Sequence, residues 1–169
     1  MTTAKKKTCI ILALLLAAGF AAVLFRTCFV YWSFLSPNKS YFGDDYVQVL
    51  YPTGIRDYHI AKGVLDDAEA AFSCITTDAH AEEEFGKLAR FCVTDEDAVS
   101  EQHAINLVSA RFTGHTGYMW ISYYQTAYDK NHAVTSGNGG KSIGSQILSR
   151  WELSQDGGKW TVTAIREHP

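Results

Sequence analysis

The sequence predicts an α+β protein: an N-terminal transmembrane helix, then helices packed on a curved antiparallel sheet of about four strands. Three features predict it. An apolar stretch follows three lysines at the N-terminus, apolar residues recur at helical spacing through the middle, and the period falls to two over long, aromatic-rich runs in the last third. With 169 residues, the chain holds enough sequence after the apolar stretch for one core, not two.

The opening reads "MTTAKKKTCIILALLLAAGFAAVLFRTCFVYWSFLSP", and the only charges in its first 35 residues are Lys5, Lys6, Lys7 and Arg26. Residues 9–25 are apolar and span about 26 Å as a helix, slightly short of a bilayer core. Arg26 either reaches for a headgroup or sits in the interface, with Phe29, Tyr31, Trp32 and Phe34 as an aromatic collar. The lysines keep the N-terminus in the cytoplasm, so a single pass puts the C-terminal domain outside. The bilayer is the expected partner of residues 9–35. "AAG" at 17–19 offers a competing reading as a signal-peptide cleavage site, although cutting there would leave "FAAVLFRTCFVYW" as a greasy terminus in water. The domain plan is therefore residues 1–35 as basic tip and anchor, 36–54 as linker, and 55–169 as the extracytoplasmic body.

The four early charges leave 11 of the 15 basic side chains and all 18 acidic ones for the remainder, a formal charge of −7. That balance argues against a general nucleic-acid binder, which needs a basic surface for phosphate. It also predicts that the body stands off anionic lipid.

In "GIRDYHIAKGVLDDAEAAFSCI" the residues Ile60, Val64, Leu65, Ala68, Phe72 and Ile75 share a helix face. A second helix is expected over "DAHAEEEFGKLARFC", with Asp78 as N-cap and glutamates near the positive end of the dipole. Thr94 and Asp97 have the spacing of a capping box for a third short helix. The strands follow in "AINLVSARFTG", "GYMWISYYQTAYD", "KSIGSQILSRWELSQ" and "GKWTVTAIREHP". The polar "KNHAVTSGNGG" reads as a loop, and "QDGG" as a tight turn. Alternation places Tyr118, Trp120, Tyr124 and Tyr128 on one side of the second strand and Met119, Ile121, Tyr123 and Ala127 on the other. The tyrosine–tryptophan row is the candidate ligand or partner surface. Ile147, Trp151, Leu153, Trp160 and Val162 are the expected structural core of the sheet.

Trp151, Leu153, Gly158, Trp160, Val162 and Ile165 form a W-x-L…G-x-W-x-V-x-x-I pattern behind the expected helices. Over about residues 56–167 this resembles the NTF2-like superfamily, also described as cystatin-like. The resemblance implies a conical fold with a pocket between helices and sheet. Its members include enzymes, ligand carriers, dimerisation modules and domains displayed from membrane-bound secretion or conjugation proteins. The aspartate–histidine pair of the small isomerase and dehydratase members is not evident in this chain.

Cys74 and Cys92 stand near the ends of the two expected helices. Outside the cytoplasm they are a candidate disulfide; two separate buried thiols are the alternative. No H-E-x-x-H spacing occurs, and His80 with Glu83 and Glu84 reads as a solvated acidic face, so no metal is assigned. Asp57 and His59 are a candidate acid–base pair at a pocket mouth, or simply the start of a helix. The glycines at 136–145 lack the Walker spacing, and no cofactor is expected. The expected function is a non-catalytic, membrane-anchored, extracytoplasmic interaction or assembly module that binds a protein partner or itself. The alternatives are an anchored carrier or sensor of a small apolar ligand, and an isomerase- or hydrolase-like enzyme using a pocket in the cone.

Overall fold

The computed structural model describes the backbone of residues 3–77 and 80–167, and the side chains in those ranges except at 3–6, 31, 32 and 34–37. The expected cap Asp78 and the collar side chains of Tyr31, Trp32 and Phe34 lie outside the described residues.

Helix α1 runs Thr3–Phe42. Its Lys7–Val30 stretch, 24 residues with mean hydropathy 2.7, is long and apolar enough to cross a membrane. The large apolar side chains between Ile10 and Phe25 are exposed. Ser36 and Pro37, turn formers by sequence, do not end the helix. Val30 and Phe42 pack on the sheet, and this tertiary contact outweighs local propensity. A 3-10 helix over Gly43–Leu50 follows and buries Tyr46 and Val49, so this part of the expected linker lies against the body.

Helix α2, Ile55–Phe72, buries Ala61, Val64, Ala68, Ala71 and Phe72 on one stripe. The next expected helix is interrupted. α3 covers only Ala81–Phe85 and passes into a 3-10 helix over Gly86–Phe91. Gly86 adopts φ +56, a left-handed conformation open to glycine at little cost, and this breaks the α-helical run.

The third expected helix does not form. Asp95 accepts the Asp97 N–H at 3.0 Å, and the Ala98 N–H bonds back to the Asp95 carbonyl at 3.1 Å. The acidic side chain thus turns the chain instead of capping a helix. Strand β1, Ser100–Thr113, begins at once and pairs with β2, Thr116–Tyr128. Val108 is the extra residue of a bulge in β1. It shifts the alternation, so that Leu107, Ala110 and Phe112 all reach the same core.

Strands β3 (Val134–Asn138), β4 (Ile147–Asp156) and β5 (Lys159–Glu167) complete an antiparallel sheet of order β1-β2-β4-β5, with β3 on the C-terminal end of β2. The expectation of a curved four-stranded sheet is corrected here. The "KNHAVTSGNGG" stretch contributes a fifth strand, and the sheet is open, with edges at β1 and β5. It is not curled into a cone, which overturns the NTF2-like resemblance. The W-x-L and G-x-W-x-V residues describe a two-stranded hairpin, a local unit that many sheets share and that does not encode closure. That hairpin turns at Gly157-Gly158, both at positive φ, as a tight two-residue turn requires.

Each face of the sheet has its own helical cover. α2 and the 86–91 turns lie on Met119, Ile121, Tyr123, Trp151 and Leu153. Ile147, Trp160 and Val162 flank that core and are partly buried. On the opposite face the end of α1 and the 43–50 helix lie on Trp120 and Leu148.

Candidate functional site

The aromatic row of β2 is spread over three environments. Trp120 is 0 % exposed, with the Phe42 ring edge-on at 4.7 Å and Tyr46 beyond it at 6.4 Å. Tyr124 is buried, whereas Tyr118 and Tyr128 are half-buried. The chain's own N-terminal segment therefore covers the centre of the row.

Gln48 holds that cover in place. Its Oε1 accepts from the Trp120 indole at 3.2 Å and from Arg150 Nε at 3.1 Å, and its Nε2 donates to Asp45 at 3.1 Å. Its backbone carbonyl accepts from the Ser109 hydroxyl at 2.8 Å. Asp45 also receives Arg166 at 2.8 Å, and Arg150 donates to Glu152 at 2.6 Å. Two guanidiniums stacked on rings close the network: Arg150 lies 5.4 Å from the Tyr118 ring centre and Arg166 5.7 Å from that of Phe42. Sequence reasoning passed over Gln48, Asp45 and Arg166. The available signal was Gln48 itself, a lone amide within the apolar run from Tyr46 to Tyr51, since a polar group flanked by buried ones needs a partner.

Beside this cover the face stays open. A depression of about 340 Å³ surrounds Tyr118, lined also by Arg111, Thr116, Arg150, Glu152 and Thr163. Burial raises the Tyr118 pKa above its usual 10, against the pull of Arg111 and Arg150, so the phenol stays neutral near pH 7. Its chemistry is that of a rigid ring with one donor and a stacked arginine, suited to contact rather than proton transfer.

A larger cleft of about 430 Å³ lies between α2, the 84–88 segment and β5. Val64, Phe85, Leu88, Trp160 and Val162 supply its apolar lining, and Asp66, Asp67, Glu84, Lys87 and Lys159 its charges.

Ile75 and Val93 form a parallel bridge, with the Val93 N–H on the Cys74 carbonyl at 2.8 Å and the Thr76 N–H on the Val93 carbonyl at 2.9 Å. Cys74 and Cys92 are therefore neighbours across that bridge, and both are free thiols. Burial, and then the hydrogen bond to Cys74, push the Cys92 thiol up to about 12. Gln125 braces the same corner, donating to the carbonyls of Phe72 at 2.7 Å and Phe91 at 2.8 Å.

His103 joins β1 to α2. Its Nε2 meets Glu69 at 2.6 Å and its Nδ1 meets Glu101 at 2.8 Å, with the Phe72 ring 5.4 Å away. Asp57 pairs with Arg56 at 2.7 Å, while His59 lies edge-on to Tyr58. His80 meets Glu83 at 3.3 Å on an exposed turn. Among the described residues, no group of three or more histidine, cysteine or acidic side chains is arranged to hold a metal ion.

No family model matches the chain, and neither the curated proteins nor the solved structures include a significant match to it.

Proposed function

We propose that the chain is a single-pass membrane protein, N-terminus in the cytoplasm, whose body is displayed outside as a non-catalytic interaction or assembly module. One observation carries this reading. The helix that is apolar and exposed from Ile10 to Phe25 continues without interruption into the cover of the sheet, where Val30 and Phe42 are buried. Anchor and body share one element, so the body is held at a fixed place relative to the bilayer. Three lysines before the apolar stretch set the orientation by the positive-inside rule.

The contact surface in this reading is the open part of the aromatic face, where the half-buried Tyr118 and the exposed Arg111 combine the two residue types most useful at the centre of an interface, with the buried Arg150 supporting the tyrosine ring. Anchoring concentrates such a surface in two dimensions, so a weak contact suffices for assembly. The test places a photo-crosslinking amino acid at position 118 of the full chain in its membrane. The expected result is a discrete adduct with a second copy or a partner protein. The absence of any adduct, together with a monomeric solubilised chain, overturns the reading.

A second reading, an anchored carrier or sensor of a small apolar ligand, is favoured by the cleft beside Trp160. An environment-sensitive apolar dye that binds the full chain and is displaced by Val162→Glu would select it.

A further inference from the structure

We infer that the β1 edge of the body, with the 51–58 stretch alongside it, rests in the headgroup layer of the bilayer. This extends the anchored reading above and depends on it.

The contacts of α1, taken in order, give the orientation. Arg26 donates to the carbonyls of Leu50 at 3.0 Å, Tyr51 at 3.2 Å and Val108 of β1 at 2.9 Å. Val30 then joins the cluster of Trp120 and Leu148, on β2 and β4. Phe42 ends beneath Arg166 of β5. The rise from Arg26 to Phe42 is about 24 Å, while four strands side by side span about 14 Å between the outer two. α1 is thus long enough to pass over the sheet, starting at β1 and ending with Phe42 between Trp120 of β2 and the guanidinium of Arg166, and β1 is the edge nearest the apolar span.

The surface at that edge suits an interface. Ile55 is 82 %, Tyr58 50 % and Tyr51 40 % exposed. Phe29 and Ile143, also exposed, line a groove with Arg26 and Val108. Tyrosines and arginines are the side chains that settle at headgroup depth.

The edge itself is closed to strand pairing. Arg26 takes the Val108 carbonyl, Thr53 Oγ1 takes the Ala110 N–H at 3.0 Å, and Arg56 takes the Phe112 carbonyl. With these backbone groups satisfied, this part of β1 offers no template to a second copy, and it enters a poorly hydrated layer without stranding them. This sets aside the expected stand-off from lipid. That expectation used net charge alone, whereas the exposed side chains of this stretch are chiefly apolar, aromatic and basic, and its one acid, Asp57, is paired with Arg56 at 2.7 Å.

The test uses the full chain in phosphatidylcholine vesicles that carry a photoreactive lipid, with the probe either at headgroup level or at the acyl terminus. Labelled residues are mapped by mass spectrometry. The headgroup probe is expected to label 51–58 and the region of Ile143, and the acyl probe to label only 9–25. Ile55→Glu with Tyr58→Ser, both at exposed positions, is expected to cut headgroup labelling of 51–58 severalfold and leave helix labelling unchanged. Acyl labelling of the helix with no headgroup labelling of 51–58 overturns this inference alone. An unlabelled helix overturns the anchored reading, and this inference with it.

Discussion

Arg26 donates to the Val108 carbonyl at 2.9 Å and so ties the apolar N-terminal helix to a strand 82 positions later. The same guanidinium also reaches Leu50 and Tyr51, serving three carbonyls of the body. Arg26→Ala is expected to destabilise the body by about 1.5–3 kcal/mol, the scale of losing hydrogen bonds to a charged group. Arg26→Lys should recover only part of that, because an ammonium lacks the planar fork that spans separate acceptors. Thermal unfolding of the full chain in nanodiscs measures both. No shift in Tm for Arg26→Ala would mean that helix and body are not coupled.

Trp120 tests the cover on the aromatic face. Trp120→Ala is expected to cost about 3–5 kcal/mol, as a fully buried large ring does. Trp120→Phe keeps the ring but removes one of the two donors to Gln48 Oε1, and should cost about 1 kcal/mol. Denaturant titration separates the two. Near-neutral behaviour of Trp120→Ala would show this face to be uncovered in solution.

His103 makes stability depend on pH. Burial works against the charged ring, but the hydrogen bonds it donates to Glu69 and Glu101 outweigh that and raise the pKa above the ordinary 6.5. A raised folded-state pKa gives stability that is complete below about pH 6.5 and is lost as pH climbs through the folded value. The stability difference between the native chain and His103→Asn should therefore be largest in mild acid and shrink toward alkaline pH. A difference that stays constant over that range would contradict the ion-paired ring.

Cys74 and Cys92 lie side by side as thiols, and outside the cytoplasm a thiol–disulfide oxidoreductase or a small disulfide is expected to join them. The bond lowers the mass by about 2 Da and stabilises by about 3 kcal/mol on the loop-entropy account. Intact mass with and without reductant, on chain taken from its native membrane, checks it. An unchanged mass would establish a permanent pair of reduced thiols.

What the sequence made legible was local. The alternation in β2 correctly separates Met119, Ile121 and Tyr123 from Tyr118 and Trp120, because a period of two is written in neighbouring residues. α2 announces itself by the spacing of Val64, Ala68 and Phe72. β3 was hidden, because Ser136, Gly137 and Asn138 have turn chemistry and become a strand only by pairing with Gln125, Thr126 and Ala127. The cover over Trp120 was hidden for a similar reason, since Gln48 meets its donors 72 and 102 positions away. Closure of the sheet is a non-local property too, and the hairpin tryptophans were silent on it. The break at Gly86 did have a local sign, a glycine inside a short helical pattern.

The most direct test of the whole account is protease added to sealed cells that carry the full chain with a C-terminal tag. The account predicts that residues 40–169 are cut in intact cells while the N-terminal lysines stay protected. A body that resists digestion until the cells are lysed would place it on the cytoplasmic side and contradict the extracytoplasmic module.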